Sequence, residues 1–376
     1  MVKSGSESLK LETGTKKKAP RGKKLRVAII GCGGICQTHM AAYKEIPEVE
    51  IVGICDIKED RLEYMQKTYG FKKEVSFLLW KDMFRKIKPD AVDICTPNGV
   101  HCAAAVDAAN AGCHVMVEKP MAMNPAECEK MIAAAKKNNV KLAVGFQHRY
   151  NSKTDFLIRA RDEGKFGKLM FVKCQALRRR GIPNWGVFGQ KELQGGGPMI
   201  DIGVHVVEMA HFFMGSPKPV AASGNCWTYL GNKESDVMCP WPGWDYKTYT
   251  VEDLAIGQIR FDNGMIMQIE SSFAAHIDKD LWRFTAMGEK GGCCWDPLEI
   301  FTDDSGAMVH IKPDYIAPDW NANWNYLFVR KLQNWVDACL KGTPLRASGE
   351  EGLAVQKILD GIYRSAEQNG KEVPIK

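Results

Sequence analysis

No stretch of this 376-residue chain approaches the roughly 20 consecutive apolar residues that a membrane span needs, so no membrane segment is expected. An apolar segment near the start is missing too. Residues 1–24 hold eight Lys or Arg against two Glu, which reads as a flexible basic tail and not as a secretory signal. That tail accounts for the whole formal charge of +6, and the neutral remainder offers no basic face for nucleic acid. Paired Cys-x-x-Cys zinc spacings are absent, no metal constellation stands out, and no solenoid-length repeat recurs. The thirteen cysteines are odd in number, and Cys32, Cys36, Cys55, Cys95, Cys102 and Cys113 fall inside strand or helix patterns, as reduced cysteines do in a cytoplasmic protein. The adjacent Cys293 and Cys294 fit strand packing better than a redox pair.

What is present is an ordinary globular composition, 45% hydrophobic and 26% charged, at a length that fits two domains. Apolar strands are expected at Val27–Ile30, Ile51–Cys55, Ala91–Cys95, His114–Val117 and Leu142–Phe146. Helical patterns lie between them, clearest at His101–Ala111 and Pro125–Lys137, where Pro125 follows Asn124 as a first-turn residue. Short buried strands alternating with helices predict an α/β unit, a doubly wound parallel sheet over residues 25–147.

The first strand runs into Gly31-Cys32-Gly33-Gly34-Ile35-Cys36 and then a helix. Glycines at 31 and 33 allow a tight turn and the approach of a pyrophosphate to the helix N-terminus; Cys36 stands where the third glycine is usual. Asp56 ends the second strand, where a carboxylate accepts from ribose hydroxyls and repels a 2′-phosphate. NAD is therefore expected over NADP. Thr96-Pro97-Asn98, with His101 just beyond, fits either contacts to the nicotinamide half or a plain strand-to-helix turn.

From residue 148 to 376 the pattern becomes α+β, with longer strands at Leu169–Leu177, Val251–Phe261, Met265–Ser272 and Trp282–Gly288. Asp262-Asn263-Gly264 signals a tight hairpin, so this sheet is expected to be largely antiparallel. Helices follow at Asn325–Leu340, with Phe328, Leu332, Trp335 and Cys339 on one stripe, and at Gly349–Asn369, opened by Ser348 and Glu351 in capping-box spacing.

Chemistry concentrates in two motifs: Glu118-Lys119-Pro120 after the fourth strand, and Asp201 with His205 behind Gly195-Gly196-Gly197. Lys119 at the carboxyl edge of the sheet could donate to a substrate hydroxyl, or could be a solvated strand-end lysine. Asp201 and His205 share a helix face, so the carboxylate is expected to orient the imidazole, which accepts the alcohol proton. A helix-surface contact is the plain alternative, and the three glycines, taken to admit substrate closely, favour the catalytic one.

With these motifs, and with Gly145-Phe146-Gln147, the chain resembles the Gfo/Idh/MocA oxidoreductases from about Leu25 to its end. The resemblance implies a Rossmann domain binding NAD through Gly31, Gly33, Gly34, Ile35, Asp56, Thr96, Asn98, His101, Glu118 and Lys119. It also implies a substrate-binding C-terminal domain whose open sheet makes homo-oligomer contacts, and catalytic roles for Lys119, Asp201 and His205. Within the family, Arg178-Arg179-Arg180-Gly181-Ile182-Pro183-Asn184-Trp185-Gly186 resembles members that oxidise pyranose rings, among them glycoside 3-dehydrogenases and gut-bacterial enzymes acting on C-glycosides such as puerarin. Arg178 and Arg179 would hydrogen-bond vicinal hydroxyls and Trp185 would pack on a sugar face. Trp241, Trp244, Trp320 and Trp324 would wall an aglycone, or pack in the core, and His276 would line the same pocket. The expected activity is oxidation of a secondary hydroxyl of a sugar or glycoside, at C3 of a glucosyl unit. Inositol 2-dehydrogenase, aldose oxidoreductase and a non-enzymatic NAD-binding regulator are the alternatives, and the regulator has no use for a proton acceptor.

Overall fold

The computed structural model describes residues 24–316 and 324–376; apart from Lys24 the expected basic tail lies outside the described residues, and so does Trp320. Strands β1 (Leu25–Ile30), β2 (Val49–Cys55), β3 (Ser76–Phe77), β4 (Ala91–Ile94), β5 (His114–Val117) and β6 (Leu142–Val144) form a parallel sheet in the order β3-β2-β1-β4-β5-β6. Helices α1 (Gly34–Tyr43), α2 (Glu59–Tyr69), α3 (Trp80–Ile87), α4 (Asn98–Asn110) and α5 (Pro125–Lys137) connect them. Because side chains alternate along a strand, the sheet feeds two cores. Ala28, Ile30, Val92, Ile94, Val115 and Val117 face α3, α4 and α5, while Val27, Ile29, Ile54 and Met116 face α1 and α2.

After α6 (Ser152–Asp162) a second sheet begins with β7 (Leu169–Leu177), followed by α7 (Lys191–Gln194), α8 (Val204–Phe213), β8 (Pro219–Trp227), β9 (Leu254–Phe261) and β10 (Ile266–Ser272). It continues through β11 (Leu281–Gly288), β12 (Gly291–Cys294), β13 (Glu299–Asp304) and β14 (Ala307–Ile311) and closes with β15 (Val373–Pro374), in the order β14-β13-β12-β11-β7-β10-β9-β8-β15. Among the described strands of this second sheet only β10 and β7 pair in parallel. The Asp262–Gly264 turn joins β9 to β10 as expected, with Gly264 at φ +85°. Cys293 and Cys294 are free thiols in β12.

Helices α9 (Trp324–Lys341) and α10 (Gly349–Ala366) come late in the chain, yet α9 packs against α1 and against β1 of the first sheet, and α10 against both sheets. Phe328, Leu332, Trp335 and Val336 of α9 are fully buried in the core that holds Val27, Ile29, Met40 and Tyr43. Thus α9 shares with α1 and α2 the covering of one face of the parallel sheet. Sequence periodicity located this helix and its stripe but not the surface it covers. α2 escaped notice because only Leu62 and Met65 of its residues are buried, too sparse a stripe to read.

Candidate active site

The cofactor end of the parallel sheet is built by short-range constraints. Gly31 sits at φ +90°, and a Cβ there would lie 2.6 Å from the Cys95 carbonyl oxygen, so only glycine lets β1 turn under β4. At Gly33 and Gly34 the opposite holds: a Cβ would meet nothing within 4 Å, leaving an open cradle over the N-terminus of α1. Among the described residues no side chain caps that terminus and no acid lies in its first turn. Asp56 accepts from the Cys32 N–H at 2.8 Å and the Lys58 N–H at 2.9 Å, which fixes its carboxylate at the rim of the cradle. The buried Thr96 Oγ1 finds no partner among the described residues. These features fit a dinucleotide, with its pyrophosphate against the helix N-terminus and its ribose at Asp56.

Three residues expected at the cofactor spend their side chains elsewhere. His101 is buried with Nδ1 2.9 Å from the Pro120 carbonyl and Nε2 2.9 Å from the Thr96 carbonyl, clamping two loops. Asn98 donates to the Gln194 carbonyl at 3.0 Å. Glu118 turns into the fold, where Lys331 from α9 donates to its Oε1 at 2.5 Å and His39 Nε2 lies 3.1 Å away. Burial alone would raise the Glu118 carboxyl, but the Lys331 ammonium and His39 hold it well below the ordinary carboxylate range. His39 also meets Asp93 at 2.7 Å, and its pKa, which burial would lower, is raised by that carboxylate. His39, Asp93 and Cys95 bring possible metal-ligand atoms within 4.8 Å of one another, a grouping that the sequence did not disclose. Those atoms already engage each other and the Tyr43 hydroxyl.

Lys119 and Asp201 do meet, but not as expected. Lys119 Nζ donates to the Asp201 carbonyl at 3.0 Å and to its carboxylate at 3.1 Å, so Asp201 orients the lysine and not His205. The reason is a wide π turn at Met199–Gly203 directly before α8, where the spacing of an ordinary helix no longer applies. Glu252 fixes that turn by accepting from the Gly197 and Met199 N–H groups at 2.8 and 3.1 Å, and Tyr363 of α10 donates to the same carboxylate at 2.8 Å. The glycine run is therefore a packing requirement: a Cβ at Gly196 would collide with the Tyr363 hydroxyl and one at Gly197 with the Glu252 carbonyl.

His205 is buried, and its Nδ1 has no hydrogen-bond partner among the described residues. Its ring lies 5.0 Å from that of His148 and 5.6 Å from Trp282, whose Nε1 is likewise buried without a partner. Burial, then the Lys119 ammonium and His148, hold the His205 pKa well below its ordinary value, and similar causes lower His148 to about 3. At neutral pH both rings are uncharged, the form in which an imidazole accepts a proton. His148 and Trp282 were not singled out by the sequence; the position of His148 directly after Gly145-Phe146-Gln147 was the available signal. Lys331 had one too, since it falls between Phe328 and Trp335 on the buried stripe of α9.

The expected sugar contacts separate into three groups. Trp324, at the start of α9, approaches His148 at 6.1 Å and so belongs to the His205 side. Arg178 lies over Trp241 at 4.8 Å, and Trp185 packs edge-on against the same indole at 4.8 Å. Arg179 and His276 line a separate pocket. Trp244 is a core residue, buried with its Nε1 bonded to the Gly231 carbonyl at 2.8 Å.

Comparison with known proteins bears on this geometry. The Gfo/Idh/MocA family model for an oxidoreductase NAD-binding Rossmann fold matches residues 25–146, and that for the family's C-terminal alpha/beta domain matches residues 161–375. D-Glucoside 3-dehydrogenase of Escherichia coli K12 is 35% identical over 93% of this chain and 98% of its own length. Myo-inositol 2-dehydrogenase of Thermotoga maritima is 27% identical over 87% of this chain and 92% of its own. A levoglucosan dehydrogenase solved with NADH superposes with a TM-score of 0.81 at 22% identity, covering 94% of this chain and 100% of the other, and shares the fold.

Proposed function

The chain belongs to the Gfo/Idh/MocA oxidoreductases, NAD-binding enzymes, and from that premise we propose that it oxidises the C3 hydroxyl of a glucoside to a 3-keto sugar. The observation that carries the regiochemistry is the full-length likeness to D-glucoside 3-dehydrogenase. Residues 25–147 hold NAD, and residues 148–376 hold the sugar and make the contacts between subunits.

NAD, when bound in the cradle of Gly33 and Gly34, supplies the acceptor for hydride. The chain's own residues handle the hydroxyl. Lys119, aimed by Asp201, donates to the hydroxyl oxygen and stabilises alkoxide character as hydride departs. Neutral His205 takes the proton. Glu252 and Tyr363 hold the turn that carries Asp201, while the indole of Trp282 and the ring of His148 shield the imidazole from water. A homo-oligomer is the expected assembly: Met287 of β11 and Ile256 of β9 lie exposed on the outward face of the second sheet beside the Lys173–Glu270 ion pair, a surface suited to a second copy.

Glucosides deuterated separately at carbons 1, 2, 3 and 4 test the reading. The label from carbon 3 alone should enter the reduced nicotinamide and slow single-turnover oxidation; transfer from carbon 1 would make the protein an aldose oxidoreductase, and turnover of inositols alone would make it an inositol dehydrogenase.

A further inference from the structure

Beyond the ends of β7 and β10, residues 178–181 run beside 272–275, joined by the Arg178 N–H to the Ser272 carbonyl at 2.9 Å and the Gly181 N–H to the Phe273 carbonyl at 2.8 Å. On this pair of segments lies a pocket of about 670 Å³. Val237, Pro240 and Ile277 give it apolar walls, and Arg179, Arg180 and Asp280 give it charge. The two arginines are not equivalent. Arg179 is tied to the wall, its N–H donating to Asp280 at 2.7 Å and its guanidinium to the Asp278 carbonyl at 3.1 Å. Arg180 Nη1 is buried and has no hydrogen-bond partner among the described residues. Arg180 nonetheless lines the pocket and makes no ion pair among the described residues, which leaves its charge for an anion bound there.

The pocket adjoins the candidate active site. Asp201 and the pocket residue Asp280 are both anionic neighbours of Arg178, and Trp282, which flanks His205, pairs with Ala176 two residues before Arg178. A glucosyl ring presenting a hydroxyl to Lys119 and His205 must direct its remaining substituent somewhere, and this is a cavity of suitable size and mixed character beside it. We propose that the pocket is the aglycone site and that it selects an aglycone with an apolar body and a carboxylate, which Arg180 holds through its planar fork. The inference rests on the glucoside reading above.

The test compares 4-carboxyphenyl β-D-glucoside with its neutral isostere, 4-carbamoylphenyl β-D-glucoside, on the full-length enzyme with NAD. Wild type should favour the carboxylate in kcat/KM by about tenfold or more, the scale of one charge-assisted pair. Arg180→Leu should bring the ratio to near one, and Arg180→Lys should leave it in between. A ratio near one in wild type, or an unchanged ratio in Arg180→Leu, overturns the proposal. If neither glucoside reduces NAD, the glucoside reading fails, and calorimetry of the same two compounds with NADH present still decides the pocket. Tighter binding of the carboxylate that Arg180→Leu abolishes upholds it, and equal binding in wild type overturns it.

Discussion

In the proposed mechanism Lys119 and His205 act on one hydroxyl, so their losses should not add. Lys119→Ala and His205→Ala are each expected to slow hydride transfer by at least about a hundredfold, and the double variant by little more than either, with NAD affinity nearly intact. Single-turnover rates near wild type in either variant would remove that residue from the mechanism. The pH profile carries a second prediction. Burial and the Lys119 and His148 neighbours hold His205 well below its ordinary pKa, so the free enzyme keeps a neutral acceptor in mildly acid solution. The acid limb of kcat/KM should therefore fall below pH 6.5, the ordinary histidine value. In Lys119→Met one source of positive potential is gone, and the limb of the residual activity should move up toward 6.5. A wild-type limb at or above 6.5 assigns it to another group.

α9 contributes a charge as well as a packing face. Lys331 is fully buried, and its ammonium pairs with Glu118 at 2.5 Å, in the residue directly before Lys119. Replacing it by methionine keeps the volume but leaves a buried carboxylate with the His39 ring as its remaining side-chain partner, a loss of about 3–5 kcal/mol. In Glu118→Gln/Lys331→Met both charges leave together, and the double variant should lose clearly less than the sum of the singles. Urea unfolding of the four proteins measures this. Additive losses would mean that the two groups do not interact. Sequence reading placed α9 to within a residue because its apolar period is strong, and it placed the α10 start from Ser348 and Glu351, whose reciprocal hydrogen bonds form the expected capping box. β12, β13 and β14 went unread except at Cys293 and Cys294, since they alternate little and β14 is largely exposed.

For the molecule as a whole, the two halves of the chain do not divide where their patterns change. Burying Phe328, Leu332, Trp335 and Val336 against Val27, Ile29, Met40 and Tyr43 contributes about 1.5–3 kcal/mol per side chain, together comparable with the roughly 5–15 kcal/mol net stability of a domain. A fragment of residues 24–147 lacks α9 and exposes that face. It should fail to reach a unique fold, giving a poorly dispersed amide NMR spectrum, while a well-dispersed native-like spectrum would show that the parallel sheet stands without α9.

What the sequence determined by itself is local. The Gly31 loop, Asn124 before Pro125, the Asp262–Gly264 turn and the Ser348 cap each act over a few residues, where covalent geometry and nearby N–H groups leave few conformations. It also named Lys119, Asp201 and His205, but not His148, Trp282, Glu252 or Tyr363 around them. Tertiary structure alone decided the pairings: Asp201 with Lys119 across 82 residues instead of with His205 one turn away, and Glu118 with Lys331 across 213. Four-residue spacing implies a shared helix face only while the helix is regular, and the π turn at Met199–Gly203 removes that condition. The partner of a buried charge depends on which surfaces exclude water together, and that is set by packing of the whole chain.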